Sequence, residues 1–270
     1  MTQTIADKRR AFRKLHEAGC FVIPNPWDVG SALALQSLGF QALASTSAGM
    51  AWAMGKADGQ VTLDEVLAHL AALAGRLDIP LNADFENGFA DAPDAVAANV
   101  ARAVGTGVAG LSVEDSTGDA AQPLYDFDLA VARVAAAKAA IDAIDPAVML
   151  TARSEGFIRG RPDLPETVRR LKAFAEAGAD CLYAPGLREP AQIRAVVEAV
   201  APRPVNLLTP GLPVAEIAAL GVRRISVGGS LARTAWGEFL RAAREIATDG
   251  AFTAFGRAAS GGELNRMFGG

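Results

Sequence analysis

Apolar residues follow two alternating patterns along this chain. Short unbroken runs fall near residues 21–24, 41–45, 79–84, 109–114, 147–152, 180–184, 204–208 and 223–227. Between them, apolar positions return every three or four residues. A run that is apolar at every position predicts a strand buried on both faces, and the three-to-four spacing predicts an amphipathic helix. "TLDEVLAHLAALAGRL" shows the second pattern and opens with a capping box, Thr62 to Glu65. "LPETVRRLKAFAEAG" and "EPAQIRAVVEAVA" have the same character. Gly19, Gly39, Gly107, Gly178 and Gly221 each separate a helical stretch from an apolar run, where a left-handed helix cap is needed.

Eight such alternations predict an α/β fold, a (β/α)8 TIM barrel with an N-terminal helix and a C-terminal tail. The competing open parallel sheet lacks support. No GxGxxG follows the first strand, and "NPWDVGSA" is a poor phosphate cradle. The expected organisation is one barrel domain over 1–248. The Gly-rich tail, 249–270, carries an apolar patch at Leu264–Phe268 and is expected to cap the barrel or pack on a neighbouring subunit.

Composition narrows the class. The 270 residues are 51% hydrophobic with a formal net charge of −4. No stretch approaches the ~18 apolar residues of a membrane span, and the charged N-terminus "MTQTIADKRRAFRKLHEAG" has no apolar core of a signal peptide. Cys20 and Cys181 form neither a metal spacing nor a disulfide framework. Mild acidity without a basic cluster argues against nucleic acid. The expectation is a cytoplasmic protein with no membrane or nucleic-acid partner.

Chemistry in such a barrel gathers at the carboxyl ends of the strands. Read in order, those ends are Asn25-Pro-Trp27-Asp28, Ser45-Thr46-Ser47, Asp84-Phe-Glu86, Glu114-Asp115, Arg153-Ser-Glu155, Tyr183, Asn206 and Ser226. The stretch "PLNADFENGFAD" poses the central question, because closely spaced carboxylates at the end of a buried run repel one another. Four acids on adjoining strand ends call for a cation or several basic partners. The two histidines, His16 and His69, lie in helical segments, so the site is an oxygen-only set suited to Mg²⁺ or Mn²⁺. Asp91, before Ala-Pro, reads as a helix N-cap, and Asp28 reads equally as a cap. Arg153 is an active-site group or a salt bridge holding the acids together. Cys181 reads as core, and Gly228-Gly229 as an anion turn or as tight strand–helix packing.

The ordered segments "NPWD", "STSAG", "GKADG", "NADFENGF", "GLSVEDS", "TARSEGF", "AGADCLYAPG", "PVNLL" and "RRISVGG" resemble the isocitrate lyase/phosphoenolpyruvate mutase superfamily, over roughly residues 20–235. The likeness is strongest to its short, single-domain members, those like carboxyphosphonoenolpyruvate mutase or methylisocitrate lyase. It implies a homo-oligomer, dimer or tetramer, whose eighth helices are exchanged between subunits. The implied reaction makes or breaks a C–C or P–C bond beside a 2-oxo acid through a Mg²⁺-bound enolate. By position, the metal carboxylates fall on Asp58, Asp84, Glu86 and Glu114. Glu86 stands where many members carry Asp. The substrate carboxylate falls to the turn Ser45, Thr46, Ser47, Ala48 and Gly49, with Asn206 also lining the site. The active-site Arg falls on Arg153, with Glu114 beside it. Two departures are evident. The loop "EDSTGDAAQPLYDFD" has neither the cysteine of the lyases nor the Thr-Asn pair of the mutases, and "YAPG" stands where the mutases place a His. The expected substrate is a small 2-oxo acid such as oxaloacetate, because CO₂ departs without a loop acid. The alternatives are a 2-methylisocitrate lyase, a phosphonomutase-type enzyme, a 2-oxo-acid-binding protein with little turnover, and a metal-dependent aldolase.

Overall fold

In the computed structural model, which describes residues 3–269, eight parallel strands alternate with helices around a barrel. The strands are β1 (Phe21–Ile23), β2 (Leu43–Ala44), β3 (Leu81–Asp84), β4 (Gly110–Glu114), β5 (Met149–Arg153), β6 (Cys181–Tyr183), β7 (Val205–Leu208) and β8 (Arg224–Ser226). Each coincides with a predicted apolar run. Neighbouring strands pair in sequence order and β1 pairs with β8. The remaining seam, between β1 and β2, is bridged by Ala44 N–H donating to Pro24 O at 3.1 Å.

The main helices are α1 (Ile5–Leu15), α2 (Val29–Ser37), α3 (Ser47–Ala53), α4 (Leu63–Ala74), α5 (Pro93–Gly105), α6 (Phe127–Ile144), α7 (Leu164–Glu176), α8 (Pro190–Val200), α9 (Val214–Ala219) and α10 (Ser230–Asp249). The glycine junctions behave as expected. Gly39, Gly107 and Gly178 follow α2, α5 and α7 with φ of 87°, 93° and 103°, a region that any Cβ would strain. The Thr62–Glu65 capping box forms on α4, and Asp28 caps α2 with Ser31 as its reciprocal partner.

α1 closes the amino-terminal end of the barrel. Its Phe12 is buried in an inner cluster with Ile23, Ala42, Ala44, Ala109 and Met149. Three basic side chains of α1 rope it to the barrel. Lys8 Nζ donates to the carbonyls of Ala74 and Leu77, and Arg13 Nε donates to that of Ala147. Arg9 donates to the carbonyls of Val104 and Val108 and pairs with Asp145 at 2.7 Å.

The tail forms a 3-10 turn (Thr253–Arg257) and α11 (Gly261–Phe268), which folds back beside α2 of the same chain. α10 leaves Trp236, Phe239 and Leu240 exposed, as the tail does Phe252 and Phe255. No helix among the described residues is long and apolar enough to cross a membrane.

Because Phe12 fills the barrel floor with no exposed surface, Phe12→Ala is expected to cost about 3–5 kcal/mol in urea unfolding. A loss below about 1 kcal/mol would mean that α1 is not part of the cooperative core.

Candidate active site

The carboxyl ends of β3, β4 and β5 bring one guanidinium and three carboxylates into contact. Arg153 pairs with Asp84 at 2.7 Å, Glu114 at 3.1 Å and Glu155 at 2.9 Å. The ladder register produces this, since Glu114 lies opposite Arg153 and Arg153 opposite Tyr183. The Arg153 guanidinium also lies 5.1 Å from the centroid of the Tyr183 ring. Burial opposes its charge, but Glu155, Glu114 and Asp84 outweigh burial and raise its pKa well above the ordinary value.

The Ser45–Gly49 turn is sewn to the same acid. Ser47 donates both its N–H and its hydroxyl to Asp84 Oδ2, at 3.0 and 2.9 Å, and Ser45 Oγ accepts from the Asp84 N–H. Thr46 caps α3, while Ser45, Thr46, Ser47 and Ala48 line a cavity of about 170 Å³ with Asn206, Asp58 and Arg153. Gly49 does not line it. A Cβ there would lie 2.7 Å from Thr46 and 2.8 Å from Trp27, so Gly49 serves the close packing behind the turn. A second cavity of about 460 Å³ adjoins the first through Ser47, Asp58 and Arg153, and is walled by Glu86, Glu114, Glu155 and Arg159. All the sequence-predicted metal carboxylates thus border one mouth.

Glu86 is placed there by a loop that works against backbone preference. Glu86 and Phe89 have φ of 45° and 55°, a conformation costing non-glycine residues about 1 kcal/mol or more each. Arg133 of α6, 1% exposed, reaches beneath the loop and donates to the carbonyls of Asn87, Ala90 and Asp91. Tyr125 completes the clamp, its hydroxyl donating to Asp91 at 2.5 Å and accepting from Asn87. This corrects the expected role of Asp91. Ala92 occupies the N-cap of α5 without a side-chain bond, and Asp91 spends its carboxylate on Tyr125. At the Gly228 turn the N–H groups of Val227 and Gly228 both donate to Asn25 Oδ1.

Acid outnumbers base at the mouth, and the titration directions show it. Burial and the charges of Asp84 and Asp58 push Glu86 up to about 7. Burial, then Asp84, raises Asp58. Burial and Glu155 raise Glu114 against the pull of Arg153. Glu86 Oε1 is buried without a hydrogen-bond partner. A lone carboxylate oxygen in an acid-rich wall fits a hard cation. Among the described residues no three acidic, His or Cys side chains converge closely enough to hold an ion by themselves.

The phosphoenolpyruvate phosphomutase family matches residues 12–247 of this chain. The chain belongs to the phosphoenolpyruvate mutase/isocitrate lyase superfamily. A Burkholderia cenocepacia J2315 crystal structure, described as a candidate lyase/mutase, is 48% identical with a TM-score of 0.95, covering 98% of this chain and 97% of its own. An oxaloacetate decarboxylase of Paraburkholderia xenovorans is 32% identical, covering 81% of this chain and 74% of the relative. The structure of a phosphonopyruvate hydrolase complexed with oxalate and Mg²⁺ is 26% identical with a TM-score of 0.86, covering 99% of this chain and 95% of its own. This superfamily member is therefore an enzyme of the lyase/mutase type.

Glu155 and Arg159 belong to the same mouth and were not among the predicted site residues. Arg159 approaches Glu114 at 3.4 Å and Glu155 at 3.9 Å. Glu155 stood two residues past Arg153, the only signal available. Arg159 lies in the turn that follows, where strand-end logic gives no direction.

The acid excess has a consequence for stability. A carboxyl whose pKa is raised on folding stabilises the protein below its unfolded value and loses that contribution as pH rises through the folded value. For Glu86 the loss runs from 4.5 up to about 7. The buried His16, lowered to about 3 by burial and by Arg224, changes in the opposite sense but only below 6.5. With Glu86 pushed up to about 7 and Glu114 up to about 8, the metal-free protein should lose melting temperature from about pH 6.5 to about 8, and Mg²⁺ should flatten the loss. Melting curves identical in Mg²⁺ and in EDTA across that window would exclude metal binding at these acids.

Proposed function

We propose that this barrel is a Mg²⁺- or Mn²⁺-dependent enzyme that cleaves the bond to carbon 3 of a small 2-oxo acid, with an oxaloacetate-like substrate. The observation that carries the reading is the buried Arg153 fixed by Asp84, Glu114 and Glu155 at the edge of a cavity rich in further acid. Asp58, Asp84, Glu86 and Glu114 would hold the cation, in part through water. When bound, the cation supplies Lewis-acid stabilisation of the oxygen on which negative charge develops. Arg153 adds a second, fixed positive charge at that place. Three carboxylates already hold it in position, so little reorganisation is needed as charge develops.

The loop over the mouth supports a leaving group that departs without a proton. Residues 116–125 close on themselves through a bridge between Ser116 and Leu124. Tyr125 is committed to Asp91 and is pushed up to about 12 by burial and by that bond, which makes it a poor donor. Loss of CO₂ meets this condition, and the similarity to an oxaloacetate decarboxylase points the same way. Cys20 and Cys181 are free thiols outside the mouth, in keeping with a reducing cytoplasm. The apolar side chains left open on α10 and the tail support a homo-oligomer of this single barrel domain.

Specificity constants at saturating Mg²⁺ test the reading. Oxaloacetate should exceed 2-methylisocitrate by at least about 10²-fold, the usual value of a missing general acid. Preference for the tricarboxylate would return the protein to the lyases proper, and ligand-dependent stabilisation without any product would make it a binding protein. Arg153→Lys should lower turnover by roughly 10²–10³-fold, because a point ammonium cannot satisfy three carboxylates and an oxyanion together.

A further inference from the structure

Among the described residues, three cations line the two adjoining cavities, and they are committed to different degrees. Arg153 is saturated, with Nε on Glu155, Nη1 on Asp84 and Nη2 on Glu114. Arg224 lies deeper, in a barrel interior that is polar where branched apolar side chains are usual. Asn82, Ser112, Thr151, Asn206 and Arg224 are all buried there. The Arg224 Nε and Nη2 donate to Asn206 Oδ1 and Thr151 Oγ1 at 2.8 and 3.0 Å, and its Nη1 lies 3.4 Å from His16 Nε2. Arg159 has far less to hold it. Its Nη2 reaches Glu114 at 3.4 Å, and its Nε stays 3.9 Å from Glu155. The side chain is 43% exposed.

The backbone beneath Arg159 is nevertheless fixed. The turn after β5 closes on itself, with the N–H groups of Ile158 and Arg159 donating to Glu155 O at 3.0 Å and that of Arg161 donating to Gly156 O at 2.8 Å. Only glycine fits at Gly156, since a Cβ there would lie 2.8 Å from the Arg161 carbonyl. A rigid root thus carries a guanidinium most of whose five N–H groups have no protein acceptor. As a plain surface ion pair such a contact is worth at most about 1 kcal/mol. Its position says more than its pairing. Ser47, Asp58, Arg153 and Ile158 form a wall shared by both cavities, and Arg159 stands in the larger one, of about 460 Å³. Glu114 lies between the two guanidiniums, with Oε2 toward Arg153 and Oε1 toward Arg159. One carboxylate sets their spacing.

We propose that Arg159 reads a second carboxylate on the substrate, at the end remote from the 2-oxo group. The assignment rests on the 2-oxo-acid reading of the mouth. The first carboxylate stays at the turn after β2, where the N–H groups of Thr46 and Ala48 line the smaller cavity without an acceptor among the described residues. With the keto oxygen toward Arg153, carbon 3 and its substituent extend past the shared wall into the larger cavity. Arg159 is the uncommitted cation there, and its planar fork suits a carboxylate in two-point contact. The substrate class that follows is a short 2-oxo dicarboxylate, not a 2-oxo monoacid. When the bond between carbons 3 and 4 breaks, its electron pair moves toward the keto oxygen and the remote carboxylate leaves as neutral CO₂. Water then supplies the proton that completes carbon 3. The contact with Arg159 is therefore strongest before reaction and fades as charge departs. Such a contact selects the substrate without accelerating the step, so it is felt in KM and not in kcat.

Calorimetry at saturating Mg²⁺ tests this with L-malate and (S)-2-hydroxybutyrate, which differ only in the remote carboxylate, and with oxalate, which has no group beyond the head. The unaltered protein should bind malate at least about tenfold more tightly than 2-hydroxybutyrate. Arg159→Gln should erase that difference, leave oxalate and 2-hydroxybutyrate within about twofold, and raise KM for oxaloacetate by roughly 10–100-fold with kcat not lowered. Arg159→Lys should recover part of the malate preference. An Arg159→Gln protein that keeps the preference, or that weakens all three probes equally as a mere balance of charge would, overturns the assignment of Arg159 alone. So does a kcat that falls while KM stays constant. Should the variant fail to fold, the parent still decides, since equal affinity for malate and 2-hydroxybutyrate overturns the second-carboxylate contact. A parent that binds none of the probes overturns the reading of the mouth and the role of Arg159 with it.

Discussion

The buried Arg153 guanidinium is the constraint around which the rest of the site is arranged. A cation taken out of water needs anions at close range and in good geometry, and Arg153 finds them on three consecutive strand ends. The requirement reaches back into the sheet. Side chains alternate along a strand, so a one-residue slip between β4 and β5 would turn Arg153 out of the barrel and leave Glu114 and Asp84 unpaired. The parallel register is thus held by electrostatics at its carboxyl end as well as by apolar packing along its length. The pairing is also unequal. Around the two cavities Asp58, Asp84, Glu86, Glu114 and Glu155 stand against Arg153, Arg159 and the deeper Arg224, and only Arg153 and Arg159 form ion pairs with them. A protein can bury such an excess only by protonating some of the acids or by admitting a cation.

Holding that arrangement requires supports outside the mouth. Glu86 and Phe89 sit in left-handed backbone conformations, and such strain persists only where neighbours over-determine it. Arg133 and Tyr125 do so from α6 and from the loop preceding it, through carbonyls and through Asp91. Arg170 does the same for the loop after β4, donating to Asp115 at 3.1 Å and to the Tyr125 carbonyl at 3.0 Å. Asp115 in turn accepts from the Glu155 N–H, which ties the two loops beside Arg153 together. The loop that lacks a catalytic acid is thus anchored firmly at both of its ends.

The strands and their glycine junctions were legible because they follow from local rules, a residue after a helix that needs positive φ and a run buried on both faces. The acids of the mouth were legible for a related reason, since the barrel topology makes the strand ends neighbours whatever the side chains are. Asp91 was misjudged because the Asp-Ala-Pro context gives a local cap, whereas a tertiary partner 34 positions away, Tyr125, takes the carboxylate in the folded chain. Glu155 and Arg159 lie past the end of β5, where alternation stops and sequence no longer says which way a side chain points. Arg224 was hidden for another reason. It lies two positions before Ser226 on β8, so strand alternation turns both into the barrel, but the strand-end reading took only the last residue of each run.

That polar interior changes how the two ends of the barrel relate. In a barrel filled with branched apolar residues, a helix plugging the amino-terminal end is insulated from the chemistry at the other. Here a continuous chain of contacts runs from the Phe12 carbonyl through His16, Arg224 and Asn206 to Ser226, where Asn206 Nδ2 donates to Ser226 Oγ at 3.0 Å. His16 can accept from Arg224 only as the neutral ring, and burial next to a cation enforces that state. The plug therefore does more than fill space. It supplies one of the three acceptors that keep the Arg224 guanidinium in place, so the position of a charge under the active site depends on a helix at the far end of the barrel.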